Sequence, residues 1–337
     1  MKINNKILSV AGYGSTGSSA VVNFLEEFDN CYVMGGEFRL VQDPDGIEDL
    51  CCNLSSSWGW NRSDTYIRRF IKYTDIIGRR ISPLKYGEHL NKTFNFNFFD
   101  HRDKFIADIV DTKWIGHWFY HDYHERNYLE VLIENFKRSL SWHFGFSREW
   151  LRANTKKSEM YFVRSDTDVY RCARDFLASL FNELDIVGEY LVFDQLILPY
   201  HKDKFDLLFP GFKQIVVDRD PRDVYLDAKN YNAYPITQDI ASFISFYESS
   251  RKISPAVDNA TTLLVRFEDL IYDYQPTTEK ILNFLGMDSA GHSKQFSKFD
   301  PKISVRNTKT WLKEENQSYV QDMSILKERL SEWCYDF

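Results

Sequence analysis

The sequence predicts an α/β protein: a mostly parallel sheet flanked by helices, with a helical insertion between its early and late strands. Three observations lead there. Short apolar runs ended by turn residues recur along the chain, helical periodicities separate them, and a glycine-rich loop directly follows the first run.

Ile7-Leu8-Ser9-Val10-Ala11 is a short apolar run stopped by Gly12, the pattern of a buried strand. After the loop, Val21, Phe24, Leu25 and Phe28 recur at helical spacing. Cys31-Tyr32-Val33-Met34 then reads as a second strand, stopped by Gly35-Gly36. Strand, glycine loop, helix and strand make a βαβ opening. Residues 50–185 change character and look largely helical, with clear segments at 128–136 and 169–184. In the latter, Val169, Cys172, Ala173, Phe176, Leu177, Leu180 and Phe181 trace one apolar face, and Ser165 with Asp168 forms a capping-box pattern ahead of it. No proline- or glycine-rich linker bounds this region. The expectation is one domain over residues 1–337, with 50–185 an insertion or cap within it. Strands return at Tyr190-Leu191-Val192-Phe193, Gln214-Ile215-Val216-Val217 and Thr261-Thr262-Leu263-Leu264-Val265. Pro221 suits the first turn of a helix, where its missing N–H costs nothing. Ile236, Ile240, Phe243 and Tyr247 mark the helix before the last strand, and Met323, Leu326, Leu330 and Trp333 mark a final one.

Composition narrows the function. The 337 residues are 43% hydrophobic and carry a net charge of −7. A general nucleic-acid or acidic-membrane binder shows a basic surplus instead, so any anion site here is local. The five cysteines, Cys31, Cys51, Cys52, Cys172 and Cys334, contain no CxxC pair, which favours reduced thiols over a zinc ribbon or disulfide framework. The first apolar run is too short for a signal sequence, and no stretch is long enough to span a bilayer. A cytoplasmic location is expected, without an integral membrane segment.

The glycine loop, Gly12-Tyr13-Gly14-Ser15-Thr16-Gly17-Ser18-Ser19, carries the first chemical signal. A loop between a buried strand and a helix aims backbone N–H groups and the helix dipole at one point, which favours phosphate or sulfate. Gly12-x4-Gly17-Ser18-Ser19 resembles a P-loop, with Ser18 replacing its lysine. A tight β–α turn that happens to be rich in glycine and serine is the plain alternative.

Four segments together resemble the sulfotransferases that use 3′-phosphoadenosine 5′-phosphosulfate. Gly14-Ser15-Thr16-Gly17-Ser18-Ser19 stands in the place of the family's 5′-phosphosulfate loop. Val217-Asp218-Arg219-Asp220-Pro221-Arg222-Asp223-Val224 is similar to its segment contacting the 3′-phosphate. Leu264-Val265-Arg266-Phe267-Glu268-Asp269-Leu270, with Ile281 to Gly286 after it, looks like the late strand and its helix. Ser304-Val305-Arg306-Asn307-Thr308-Lys309-Thr310-Trp311 resembles the basic loop over the nucleotide. The resemblance covers about the first forty residues and the last 150 and leaves the helical middle unmatched. It implies that Gly14, Ser15, Thr16, Gly17, Ser18 and Ser19 hold the 5′ end of the donor and Arg219 its 3′-phosphate, with Arg306, Asn307 and Lys309 closing over it. No metal is required. The alternative for Arg219 is an ion pair with Asp220 or Asp223, and the Arg266 segment is expected to serve the fold.

Two positions depart from the family. Ser15 stands where it has a lysine or arginine, and Asp227 where it has a serine eight residues after the arginine. Arg39, Arg222 and Lys309 are the candidates to supply the missing charge. Transfer to a hydroxyl needs a base, in-line positioning and positive charge at the leaving group. Glu37, after Gly35-Gly36, is the first candidate base, since some carbohydrate sulfotransferases resemble this chain in placing a glutamate there. Asp194, where other members place a histidine, is the second. A surface or capping role is the alternative for each. The acceptor implied is a small molecule or glycan, by way of the Glu37 position.

His117 and His121 lie at the i,i+4 spacing of a zinc pair, but no HExxH pattern exists. A solvated aromatic-rich helix is expected there, with His117, His121 and His124 as an alternative wall of an acceptor cleft. Two further functional readings remain open. In one, a P-loop kinase or hydrolase holds Mg²⁺ on Asp218; in the other, a non-catalytic nucleotide binder keeps the fold.

Overall fold

The computed structural model describes residues 5–79, 89–118, 120–121, 127–145, 157–200, 202–230, 236–253 and 258–337. Five parallel strands form the central sheet in the order β2-β5-β1-β6-β7. They are β1 (Lys6–Gly12), β2 (Cys31–Glu37), β5 (Tyr190–Asp194), β6 (Lys213–Asp218) and β7 (Thr262–Arg266). All five coincide with the apolar runs of the sequence. Strands covered on both faces show no in–out alternation, so an unbroken apolar run is their signature. The strand order turns on β1, which pairs β5 on one side and β6 on the other. Such a switch opens a crevice at the carboxyl edge of the sheet, where open α/β sheets bind ligands.

The pleat sorts side chains between two layers. Leu8, Val10, Tyr190, Val192, Ile215, Val217, Leu263 and Val265 pack toward the helices Ser18–Glu26 and Tyr274–Leu285. Leu191 and Phe193 face the opposite layer. There the helices Ile47–Ser55, Trp60–Gly78, Phe98–Ile109 and Val169–Phe181 gather, the last three from within residues 50–185 and the first straddling their start. In Val169–Phe181 all seven residues of the expected face are buried. Each fully buried large apolar side chain contributes about 1.5–3 kcal/mol, enough to fix that helix against the sheet. Its cap is Asp168 itself, which accepts from Arg171 N–H at 2.9 Å, so the Ser165 capping box gives way to a single-residue cap three residues on. Residues 50–185 also hold an antiparallel ribbon not expected from the sequence, β3 (Thr112–Gly116) with β4 (Ser158–Phe162).

Pro221 opens the helix Pro221–Asn230 as expected. With Ile240–Lys252 and Val320–Arg329 it forms a third apolar cluster around Tyr225, Phe243, Tyr247 and Leu326. Among the described residues no helix is long and apolar enough to cross a membrane.

Candidate functional site

The carboxyl edge of the sheet gathers the loop after β1, the segment after β6 and the loop at 305–310. The glycine loop is tightly wound. Gly14, Ser15 and Gly17 adopt φ of 93°, 51° and 86°, the left-handed region. Thr16 is buried beneath the turn, and a Cβ on Gly12 would lie 2.2 Å from its Oγ1. Gly17 is the N-cap of Ser18–Glu26 and brings no side chain to close the first turn. The N–H groups of that turn are left to an outside acceptor, apart from Ala20 N–H, which bonds Gly17 O at 3.0 Å. Successive left-handed residues in such a loop form a concavity of N–H groups suited to an anion.

A cavity of about 560 Å³ opens against this loop. Ser15, Gly17 and Ser19 line one wall, Arg219, Asp227 and Asn230 a second, and Phe267, Ser304, Asn307, Thr310 and Lys313 much of the rest. Arg219 is only 5% exposed. Its Nη1 donates to Ser15 O at 2.9 Å and to Asp227 Oδ2 at 2.6 Å, and its Nη2 to Asn307 O at 2.6 Å. The guanidinium thus clasps three elements together and lies 5.4 Å from the centre of the Phe267 ring. Its ion-pair partner is Asp227, one helix face along, in place of the alternatives Asp220 and Asp223.

Those two carboxylates are engaged elsewhere. Asp220 takes the fork of Arg222 at 2.9 and 2.6 Å and the N–H of Tyr335 at 2.8 Å. Asp223, fully buried, accepts from Thr310 N–H at 2.8 Å, Thr310 Oγ1 at 2.5 Å and Lys309 N–H at 3.1 Å. Burial pushes its carboxyl up to about 6 against the pull of Arg219 and these bonds. Asp223 therefore anchors the closing loop, a role not assigned from the sequence; the signal was an acidic residue directly after Arg222, buried in the first helical turn.

The closing loop brings Asn307 and Thr310 to the cavity, whereas Arg306 and Lys309 are not among the residues lining it. Lys309 Nζ sits 4.2 Å from the Phe337 ring centre and 5.0 Å from that of Tyr272. The other candidate cations are also committed. Arg222 stacks 3.9 Å from Trp311 while paired with Asp220, and Arg39 pairs Glu37 and Asp43. The lysines at the cavity are Lys298 and Lys313, neither singled out from the sequence.

Asp194 ends β5 beside β1, and Glu37 ends β2 beside β5, so both candidate bases stand on the same edge. Asp194 is part-buried and its Oδ1 has no hydrogen-bond partner. Burial pushes its carboxyl up to about 6; a bond from Ser18 opposes this, and the charge of Glu37 adds to it. Ser18 Oγ also receives Gln195 Nε2 at 3.2 Å, which ties the residue after Asp194 to the first residue of the anion-facing helix. Glu37 is half exposed and bonded to Arg39 at 2.7 Å.

Asp218 is nearly buried, and Arg251 holds both its oxygens at 3.0 and 2.5 Å. That pairing satisfies the carboxylate a Walker-type reading would give to Mg²⁺. Arg266 and Glu268 serve the fold as expected: Arg266 donates to Trp333 O at 2.7 Å, and Glu268 accepts Asp220 N–H at 2.7 Å. Of the expected solvated histidine helix, residues 119 and 122–126 lie outside the described residues; 120–121 are helical, and His121 is buried there, not solvated. His121 is 6% exposed with Nε2 2.6 Å from buried Asp64, although neither ring nitrogen makes a well-aligned hydrogen bond. The tight aromatic packing around it, with Trp118 at 5.5 Å, encloses the ring. His124 lies outside the described residues, and among those described no group of three or more metal-ligating side chains occurs.

No family model matches the chain, and no curated protein matches it. Among solved structures it is similar to the sulfotransferase domain of the Synechococcus PCC 7002 olefin synthase, at 15% identity and a TM-score of 0.43, over 100% of this chain and 97% of that one. The sulfotransferase domain from the curacin biosynthetic pathway is 11% identical with a TM-score of 0.41, over 96% and 99%. A sulfotransferase from Mycobacterium avium is 11% identical with a TM-score of 0.38, over 98% and 76%.

Proposed function

We propose that this chain transfers a sulfuryl group from a nucleotide 5′-phosphosulfate to a hydroxyl acceptor, and that the acceptor is a carbohydrate. The donor implied by the four resembling segments is 3′-phosphoadenosine 5′-phosphosulfate. One observation carries the reading: an anion-facing loop and helix N-terminus share one sheet edge with a part-buried carboxylate raised to about 6, Asp194, whose neighbour Gln195 bonds Ser18 Oγ at 3.2 Å. In this reading the first turn of Ser18–Glu26 holds the 5′-phosphosulfate through backbone N–H groups and the Ser18 and Ser19 hydroxyls. The cavity beyond Ser15 takes the nucleoside. Asp194 accepts the acceptor's proton, because a base titrating near 6 is ionised at neutral pH while still basic enough to work. Backbone donors do at the leaving phosphate what the family's lysine does, as pre-oriented dipoles.

The acceptor reading rests on a hollow of about 820 Å³ in the insertion, lined among others by Arg68, Lys72, Tyr73, Tyr120 and Tyr161. Tyr73 Oη donates to Arg39 O at 3.1 Å, and Arg39 holds Glu37, which ties this wall to the edge carrying the bases. Aromatic faces with polar rims suit sugar rings. The test is transfer of radiolabelled sulfate from the phosphosulfate donor to a panel of glycans and simple alcohols. Labelled glycan formed by wild type and absent with Asp194→Asn supports the reading. No labelled product with any hydroxyl acceptor, despite nucleotide binding, leaves a binder and overturns it.

A further inference from the structure

The substituent that this site accepts on the donor's ribose can be argued from Asp227. Among the described residues Arg219 is the only arginine lining the cavity, and both its terminal nitrogens already donate to the protein: Nη1 to Ser15 O and, at 2.6 Å, to the Asp227 carboxylate, Nη2 to Asn307 O, while Nε stays buried without a partner. Of the two lysines there, Lys298 is paired with Glu26 at 2.6 Å. Glu315 adds a second carboxylate to the lining. The cavity is therefore close to neutral, and Asn23, Asn230 and Ser304 give it a polar, uncharged character. Asp227 is 27% exposed, and its Oδ1 has no donor among the described residues.

A carboxylate with a free oxygen accepts a hydroxyl proton and repels a phosphate; an open guanidinium does the reverse. Dinucleotide sites discriminate ribose hydroxyl from ribose phosphate by this exchange of acid for arginine. Here the arginine is present but neutralised, and the acid is what remains to meet the ribose.

Resting on the nucleotide reading above, we propose that Asp227 selects a donor whose ribose 3′-hydroxyl is free, so that the donor is adenosine 5′-phosphosulfate and not its 3′-phosphorylated form. The chemistry balances without a further reactant. The acceptor oxygen bonds to sulfur as the bond from sulfur to the bridging phosphate oxygen breaks. The acceptor's proton goes to Asp194, and adenosine 5′-monophosphate leaves with the electron pair. Arg219 becomes a positioning residue that holds Asp227, the glycine loop and the closing loop in register.

Calorimetric titration of the full chain with adenosine 5′-monophosphate and, separately, adenosine 3′,5′-bisphosphate tests this. Wild type is expected to bind the monophosphate at least about tenfold tighter, the scale of one close charge repulsion near a protein surface after screening. Asp227→Ser should shift the preference toward the bisphosphate by a similar factor, and Asp227→Asn, which keeps the shape, should shift it the same way. The wild-type comparison stands even where a variant fails to fold. Tighter binding of the bisphosphate by wild type overturns this proposal and leaves the sulfotransferase reading intact. Binding of neither nucleotide overturns both.

Discussion

Glu37 and Asp194 stand opposite each other in the β2–β5 ladder, after an irregularity between Met34 and Glu37. The two glycines before Glu37 allow that irregularity, and it carries β2 on to Glu37 instead of ending it at Met34. The exposed member, Glu37, is bound by Arg39, while the part-buried member has an unpartnered oxygen. Two carboxylates at one edge are thereby driven apart in character, the usual way in which acid and base roles are separated.

A pH profile follows from that pair. Burial first, and the Glu37 charge as well, raise Asp194 to about 6. A base must be ionised, so kcat/KM for sulfuryl transfer should rise with pH through about 6 and level off above it. Asp194→Asn should lower kcat by about 10²- to 10⁴-fold with nucleotide affinity little changed. Glu37→Gln removes a negative neighbour, so the acid limb should move to lower pH while most of the activity stays. An unchanged limb in Glu37→Gln, or its abolition of transfer, would transfer the base role away from Asp194.

The glycine loop yields a prediction about stability and binding together. A Cβ on Gly17 would meet Phe267 Cδ2 at 2.6 Å, and its φ of 86° is strained for any residue with a side chain. Phe267 is 5% exposed and has no room to withdraw. Gly17→Ala should cost about 1–3 kcal/mol for the backbone alone, and it should weaken nucleotide binding because the first helical turn shifts. Chemical denaturation with a nucleotide titration measures both. A variant as stable as wild type would show that the loop has another accessible conformation.

The centre of the sheet was legible because β1, β5 and β6 are buried on both faces, and burial on both faces writes an unbroken apolar run. The ribbon was not: Thr112-Lys113-Trp114-Ile115 is exposed throughout, so no burial pattern marks it. Trp60–Gly78 escaped for the opposite reason. Its buried stripe runs Ser63, Asp64, Ile67, Phe70, Thr74 and Ile77, and its polar members break the apolar period while hydrogen bonds satisfy them inside. At the site, the loop and Arg219 could be named from local pattern. What Arg219 touches could not, since its carbonyl partners lie 204 and 88 residues away in sequence. Asp223 was hidden likewise, its partner Thr310 being 87 residues distant. The surroundings of Lys309 and Arg222 were hidden too, because sequence shows a cation without showing the aromatic ring it lies on.

Buried carboxylates around the Arg219 segment should govern how stability responds to pH. Burial raises Glu268 to about 7 and Asp223 to about 6, in each case against the favourable charge of a nearby arginine. Both values exceed those of the unfolded chain, so between roughly pH 4 and 7 the folded state binds more protons than the unfolded one. Stability from these groups is then fully present at the acid end of that window and is lost as pH rises through 6 to 7, beyond which it is flat. Glu268 is fully buried, and its shift corresponds to at most about 3 kcal/mol. Urea denaturation at pH 5.5 and pH 8 should therefore show the protein more stable at the lower pH. Glu268→Gln keeps an acceptor for Asp220 N–H and carries no charge, so it should reduce that difference and gain stability mainly at pH 8. If the variant instead loses stability equally at both pH values, Glu268 acts as a fixed carboxylate partner of Arg266, and its proton has no part in the balance.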